Sequence, residues 1–184
     1  QKEEAPAGVV YNMKICIWIT KIFDLGGTKR VVSLLANELV KEHEVTIMTY
    51  EDRFREDRTM YHLSEDINVD FIDNSQFVNK HHTPAFCARY LVKKLNDRSG
   101  MFNKKSLNPI LAEAIFPQKT REKWVEYFNS QDYDVILTTA SLSLRLAMIA
   151  PRLKAATIGW QHNCYDGYLH VKPVVFWQQE NLLQ

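Results

Sequence analysis

The chain has 184 residues, about the length of one domain. Apolar residues make up 46% of it and charged residues 24%, which is ordinary for a globular protein and excludes collagen-like and low-complexity classes. The formal net charge is +1, from 23 basic and 22 acidic residues, so the overall charge gives no case for nucleic-acid binding.

The cysteines and the apolar runs predict a cytoplasmic protein. The three cysteines lie far apart and form no CxxC or zinc-binding pattern, which favours a reducing compartment. No apolar run reaches the roughly 18 residues that span a bilayer, and no signal peptide is visible. Met13 is a candidate natural start, so we expect the polar residues 1–12 to be a leader or an added segment.

The first elements predict a parallel sheet. Residues 14–20 form a short, apolar, β-branched run that is typical of a buried strand. Residues 23–28 form a glycine-containing loop, and a helix follows, with Thr28 as a candidate N-cap. Residues 43–50 are a second strand. A strand–helix–strand unit without a tight hairpin implies a right-handed crossover and therefore parallel strands.

The helix after the glycine loop is predicted to be amphipathic. Its expected inner face recurs at helical spacing and consists of Val31, Leu34, Leu35 and Leu39. Its expected outer face consists of Lys29, Ser33, Asn37 and Lys41. This division predicts which side of the helix packs on the sheet.

The same pattern continues along the chain. Three further strands are predicted, at residues 67–72, 135–139 and 156–160. Three further helices are predicted, one around Trp124, one over residues 142–153 and one over residues 172–184. Pro151 is expected to break or kink the second of these. The chain is therefore predicted to form an open parallel α/β sheet with helices on both faces.

Residues 74–116 are less regular than the rest. A helix is predicted over residues 86–95, a loop over 97–108 and a short helix over 109–115. An excursion of this length inside a parallel sheet either carries function or adds a packing layer, and the sequence leaves both interpretations open.

Ligands of open parallel sheets bind outside the carboxyl ends of the strands, which directs attention to the loop after the first strand. Gly26 and Gly27 in this loop permit a close approach of ligand to backbone. The N-terminus of the following helix favours an anion such as phosphate, and Lys29 and Arg30 add positive charge. The alternative is a tight turn that simply requires glycine. Neither the P-loop pattern nor G-x-G-x-x-G is present, although an acidic residue, Glu51, follows the second strand where a ribose-binding acid would lie.

The fifth predicted strand is followed by His162 and Asn163. A histidine at that end of a strand can contact a ligand or act as a general acid or base near pH 7. The alternative is a histidine with a purely structural hydrogen bond. Asp132 and Asp134 form an Asp-x-Asp pattern, but they precede a strand, so we interpret them as a helix-to-strand connection and expect no metal site there.

Two further groups lie in the irregular region. His81 and His82 have no acidic or cysteine partner nearby, so a metal site is not expected there either. A basic group surrounds Met101 and Phe102 and consists of Lys93, Lys94, Arg98, Lys104 and Lys105. Such a surface can dock on anionic lipid, and the alternative is a solvated helix face.

Five segments of the sequence match one family pattern: residues 13–19, 26–39, 44–47, 133–136 and 160–162. The pattern is a strand, then Gly-Gly-x-Glu-Arg, a helix with Leu-Ala-x-x-Leu, a strand of the form His-x-Val-x-Ile, and two later landmarks. In this respect the chain resembles the opening of family 4 glycosyltransferases of the GT-B fold. The resemblance covers nearly all of residues 13–170, loosely over 74–116.

The resemblance implies a Rossmann-like, acceptor-side domain over residues 13–184, with 74–116 as a variable insertion. Its enzyme would move a sugar from a nucleotide-sugar donor to a glycan or lipid-linked acceptor, with retention of configuration and with no metal or other cofactor. By resemblance, His162 is the catalytic residue. The implied substrate-binding residues are Gly26, Gly27, Thr28, Lys29, Arg30 and Asn163.

Two features depart from the family. Lys29 stands where the family often has glutamate, and no two glutamates have seven residues between them, the spacing that marks the donor-binding domain. We therefore expect this chain to lack that domain and to be inactive alone. The alternatives are a non-catalytic half that binds a glycan or a partner subunit, and a dinucleotide-dependent enzyme. We expect no nucleic-acid partner, and peripheral contact with the inner face of the membrane stays open.

Overall fold

The computed structural model describes residues 12–77, 84–101, 105–139 and 141–160. Within these ranges the strands are β1 Lys14–Trp18, β2 Glu44–Thr49, β3 Asn68–Phe71, β4 Val135–Thr139 and β5 Ala156–Trp160. They form one sheet in the order β3-β2-β1-β4-β5, and all neighbouring strands are parallel. The prediction of an open parallel α/β sheet is confirmed.

Helices connect the strands of this sheet. Those in the described ranges are α1 Gly27–Leu39, α2 Pro84–Ser99, α3 Asn108–Ile115, α4 Gln118–Ser130 and α5 Ser141–Ile149. Short 3-10 turns occupy Arg53–Arg55, Asn74–Gln76, Lys105–Leu107 and Ala150–Arg152. Not one helix in the described part of the chain has both the length and the apolar character needed to cross a membrane.

The central strand β1 divides its side chains between two hydrophobic cores. Ile15 and Ile17 belong to the core that includes Val32 of α1. Cys16 and Trp18 belong to the core that α4 and α5 cover. Because successive residues of a strand point to opposite faces, this arrangement places helices on both faces of the sheet, as predicted.

Aromatic side chains fill the core beneath α4. Trp124 is fully buried and stacks on Phe77, with ring centroids 3.8 Å apart. Its ring centroid lies 4.7 Å from that of Trp18 and 5.4 Å from that of Phe128. Since aromatic rings bury large apolar areas, this cluster ties β1, α4 and the turn after β3 into one unit.

The buried face of α1 differs from the predicted one. Its buried residues are Val32, Ser33 and Ala36. The prediction of Val31 and Leu34 as inner residues is wrong, since Leu34 is 55% exposed and Val31 is also exposed; Ser33, predicted outside, is buried. Leu35 and Leu39 are partly buried against the core, as predicted. The prediction followed the largest apolar side chains, whereas the small side chains on the buried face let the helix approach the sheet.

Two boundary predictions are also wrong. Thr28 is not the N-cap of α1, because the helix begins at Gly27 and Gly26 holds the N-cap position. The predicted loop over residues 97–108 is helical at its start, since no glycine or proline lies between Pro84, where α2 begins, and Gly100. Gly100 then ends α2 with a φ of 63°, and its N–H donates to Asn96 O at 2.8 Å. The break at Pro151 is confirmed, and the helix predicted over residues 172–184 lies outside the described residues.

The aromatic core predicts a large cost for Trp124→Ala. We expect the free energy of unfolding to fall by about 3 to 5 kcal/mol, because the substitution leaves a cavity where several rings meet. Phe54→Ala is the matched control, since Phe54 is fully exposed and its loss should cost less than about 0.5 kcal/mol. Urea unfolding measures both values. Equal losses in the two variants would contradict this account of the core.

Candidate functional site

The strand order places the loop between β1 and α1 at a special position. β1 lies between β2 and β4, so the connections leaving this point run in opposite directions across the sheet. In open α/β sheets a crevice forms where the strand order reverses, outside the carboxyl ends of the strands. Residues 19–26, called the glycine loop below, leave β1 at this point.

A buried carboxylate holds the start of the glycine loop. Glu51, directly beyond β2, is only 7% exposed. Its Oε2 accepts hydrogen bonds from Ile22 N–H at 2.6 Å and from Phe23 N–H at 2.9 Å. The hydroxyl of Thr49 lies 3.4 Å from the same oxygen. Glu51 therefore positions the loop main chain, which differs from the ribose contact that its place after β2 suggested.

Side chains also fix the far end of the glycine loop. Gly26 N–H donates to the Tyr61 hydroxyl at 2.9 Å. Lys29 Nζ donates to Leu25 O at 3.1 Å and lies 3.4 Å from Asp24 Oδ2. This ammonium group lowers the pKa of Asp24 below its usual value. Lys29 is thus folded back over the loop.

Neither glycine is required by the fold itself. Gly26 has φ 163°, an extended conformation that any residue adopts, and Gly27 lies within the helix. A Cβ at Gly27 would meet no atom within 4 Å, and a Cβ at Gly26 would meet only the flexible end of Lys29, at 3.3 to 3.6 Å. The alternative of a turn that needs glycine therefore does not explain either residue. Their effect is to leave the backbone bare.

The start of α1 presents unpaired main-chain N–H groups. The first helical hydrogen bond runs from Arg30 N–H to Gly26 O at 3.1 Å, so the N–H groups of Gly27, Thr28 and Lys29 precede the helical ladder. No described side chain caps this end, and its first turn contains no acidic residue. Arg30 is exposed beside it. The helix dipole, the N–H groups of the first turn and the positive charge of Arg30 all favour an anion at this point.

A second set of contacts lies at the same edge, on the opposite face of the sheet. Trp18 Nε1–H donates to the Tyr50 hydroxyl at 3.0 Å. Burial raises the pKa of Tyr50 to about 12, against the opposing effect of the nearby Arg145 guanidinium and the two hydrogen bonds, so this hydroxyl stays neutral near pH 7. Arg145 of α5 also lies over the Phe116 ring, 5.7 Å from its centroid.

The structure brings together five of the predicted site residues, which are Gly26, Gly27, Thr28, Lys29 and Arg30. The other two, His162 and Asn163, lie outside the described residues, as do His81 and His82. Sequence reasoning missed Tyr61 and Arg145, because each is brought to the edge by contacts distant in sequence.

Asp132 and Asp134 lie in the connection from α4 to β4, as predicted. Asp134 Oδ2 accepts the N–H of Lys14 at 2.7 Å and so joins the entry of β4 to β1. No group of three metal-binding side chains occurs among the residues that the structure describes.

Comparison with known proteins adds no family assignment. No protein-family model matches the chain, and no curated protein matches it.

The contacts of Glu51 predict a graded loss of stability. Glu51→Ala leaves two buried N–H groups without an acceptor, and we expect the free energy of unfolding to fall by about 2 kcal/mol or more. Glu51→Gln keeps an acceptor but removes the charge, so a loss of about 1 kcal/mol is expected.

Urea unfolding of both variants checks this order, and hydrogen exchange reports on the Ile22 and Phe23 amides, which should exchange faster in Glu51→Ala. Glu38→Ala is the matched control, since Glu38 is exposed and pairs only with Lys41 in the described structure. If Glu51→Ala cost no more than this control, Glu51 would not hold the loop.

Proposed function

We propose that this chain is the amino-terminal, acceptor-side domain of a retaining glycosyltransferase, which moves a sugar from a nucleotide-sugar donor to a glycan or lipid-linked acceptor. One observation carries the proposal: a bare glycine backbone lies at an uncapped helix N-terminus beside the reversal point of a parallel sheet. The fold alone would not carry it, because open α/β sheets host many functions. The resemblance to family 4 glycosyltransferases supplies the reaction.

In the proposed reaction the glycine loop faces the diphosphate of the donor. Departure of the nucleotide leaves negative charge on a phosphate oxygen. Fixed N–H groups at the start of α1, together with Arg30, stabilise such charge without reorganising during the reaction. Lys29, in place of the glutamate that the family often has there, holds its ammonium group over Gly26, where the Asp24 carboxylate pairs with it, so its role is to hold the loop. His162 and Asn163 would contact the transferred sugar, as the resemblance implies.

The paired glutamates of the family's donor-binding domain do not occur in these 184 residues, so we expect transfer only from a longer product that contains them. No protein-bound metal is proposed, because the N–H groups and cations supply the positive charge. The proposed location is the cytoplasm, at the inner face of the membrane where the acceptor is lipid-linked.

Gly27→Ala tests the carrying observation in the full-length product. Alanine fits at Gly27 and favours the helix by up to about 1 kcal/mol, so stability should hold or rise. Its methyl group blocks close approach of the donor, and we expect kcat/KM for transfer to fall at least about tenfold, the loss expected for one charge-assisted hydrogen bond. Release of the nucleoside diphosphate from the donor measures the rate.

Gly100→Ala is the matched control. Gly100 has a φ of 63°, so alanine is strained there and stability should fall, while the rate per folded molecule should not change. His162→Ala is assayed alongside. An unchanged rate in His162→Ala would remove the proposed role of His162, and an unchanged rate in Gly27→Ala would remove that of the loop.

A non-catalytic binding half is the second candidate. Leu25, in the glycine loop, is 76% exposed, and Val31 and Leu34 are exposed on the neighbouring helix. Exposed apolar side chains at this edge are suited to contact with a second polypeptide. Transfer by the purified full-length product, with no other chain present, would exclude this candidate.

A further inference from the structure

A groove lies on the face of the sheet that α4 covers, which is opposite to the face on which α1 packs. It is bounded by α2, the end of α3 and the start of α4, and its volume is about 910 Å³. Asn74, after β3, and Arg145, after β4, line its inner end. Its size lies within the roughly 300–1,000 Å³ of small-molecule sites, and it reaches the same sheet edge as the glycine loop.

Aromatic side chains lie at the base and along the outer part of the groove. Those at the base, Phe77, Phe116 and Trp124, belong to the buried core and expose 6%, 2% and 0% of their surface. Phe86 and Tyr90, both on α2, line the outer part and are accessible. These two rings form the aromatic wall of the groove, and they suit an apolar or planar ligand group.

The charges along the groove are unbalanced. Its described lining has five basic residues, Arg89, Lys93, Lys119, Lys123 and Arg145, against two acidic ones, Glu113 and Glu122. Both carboxylates are already engaged, because Glu113 pairs with Arg89 and Arg121, and Glu122 accepts a hydrogen bond from Gln118.

Three of the cations at the groove have no ion pair with any carboxylate in the described ranges. These are Lys119, Lys123 and Arg145. Lys123 Nζ donates to the backbone carbonyl oxygen of Gln76 at 2.8 Å. Because this acceptor is neutral, the contact does not compensate the charge of the ammonium group. Asn74 Oδ1 is buried and accepts no hydrogen bond from a described residue. A ligand with a multiply charged anionic group would satisfy these cations, and its hydroxyl group could donate to Asn74.

The outer side of α2 indicates where such a ligand comes from. Leu91 and Leu95 are exposed on α2 and Met101 just beyond its end, and Lys94 and Arg98 of α2 are exposed as well. A basic surface with exposed apolar side chains is suited to an anionic membrane. Tyr90 is exposed on the same helix and lines the groove, so this surface and the groove are continuous.

We propose that the groove binds the phosphate-bearing end of an anionic lipid, with the phosphate against Lys119, Lys123 and Arg145 and the first apolar carbons against the aromatic wall. The lipid is taken from a membrane surface that α2 contacts. We further identify this lipid as the acceptor of the transferred sugar, and that identification rests on the proposed function. The binding of the lipid to the groove does not depend on it.

Calorimetric titration of the 184-residue chain tests the binding. The probe is dodecyl phosphate below its critical micelle concentration, compared with inorganic phosphate and with uncharged dodecyl maltoside. We expect dodecyl phosphate to bind at least about tenfold more tightly than either, because only it offers both a charge-assisted contact and apolar burial. The double variant Lys119→Gln/Lys123→Gln should weaken binding at least about tenfold.

Arg145→Gln should weaken binding to a similar degree. If Arg145→Gln proves unstable, the double variant Lys119→Gln/Lys123→Gln still tests the groove, because both lysines are exposed and their replacement should not affect folding. Arg98→Gln is the matched control, because it removes the same charge from α2 outside the groove and should leave dodecyl phosphate binding unchanged. Equal binding of dodecyl phosphate and inorganic phosphate, or of dodecyl phosphate and dodecyl maltoside, would overturn the proposed ligand. An equal loss in Arg98→Gln, or no binding, would overturn the groove.

Vesicle sedimentation separates the lipid source from a free phosphate compound. The chain should sediment with phosphatidylcholine vesicles that contain phosphatidic acid but not with phosphatidylcholine alone, and Arg98→Gln should weaken this association in a salt-dependent manner. Binding of dodecyl phosphate without vesicle association would overturn the membrane source.

The transfer assay of the full-length product then separates the two proposals. Loss of transfer in Gly27→Ala but not in Lys119→Gln/Lys123→Gln would reject the acceptor assignment alone. Tight binding of dodecyl phosphate with no transfer by any full-length product would reject the glycosyltransferase and leave the lipid site.

Discussion

The hydrogen bonds from the glycine loop to the buried Glu51 carboxylate are the contact on which the candidate site depends. Burying a carboxylate is costly unless donors reach it, and here the loop main chain supplies two to Oε2, while Oε1 has no partner among the described residues. The loop is thereby fixed to the end of β2, although it belongs to the connection after β1. The position of the α1 N-terminus follows, because the helix begins only a few residues beyond Phe23.

The strand order determines where the Glu51 contact places the glycine loop. A loop held across β1 and β2 lies beside the reversal point of the sheet, where a ligand can enter. Gly26 and Gly27 leave the main chain exposed at that point, although the conformation of the turn does not require glycine at either position. The Glu51 hydrogen bonds hold the loop in place, and the two glycines leave its main chain without side chains. These two features are independent of each other, and their occurrence at one point favours a ligand-binding interpretation.

The sequence predicted the elements well where burial decides them. β4 begins and ends at the predicted residues, because a parallel strand buried between helices forms a short apolar run. The bounds of β5 also match, although β5 is the edge strand and is largely exposed. It failed at α1, where Val31 and Leu34 compete with Val32 and Ala36 for the inner face and only packing settles the choice. The hydrogen bonds of Glu51 to the glycine loop, the position of Arg145 and the groove could not be predicted, since their contacts join elements far apart in sequence.

Neighbouring residues at the end of β2 connect the two candidate binding regions. Glu51 holds the glycine loop, while Tyr50 packs into the opposite core and accepts a hydrogen bond from Trp18. Tyr50 also contacts Arg145, at the inner end of the groove. Because successive side chains point to opposite faces of a sheet, Tyr50 and Glu51 support different regions. Glu51 supports the helix N-terminus that favours an anion, and Tyr50 contacts the residue at the inner end of the cationic groove.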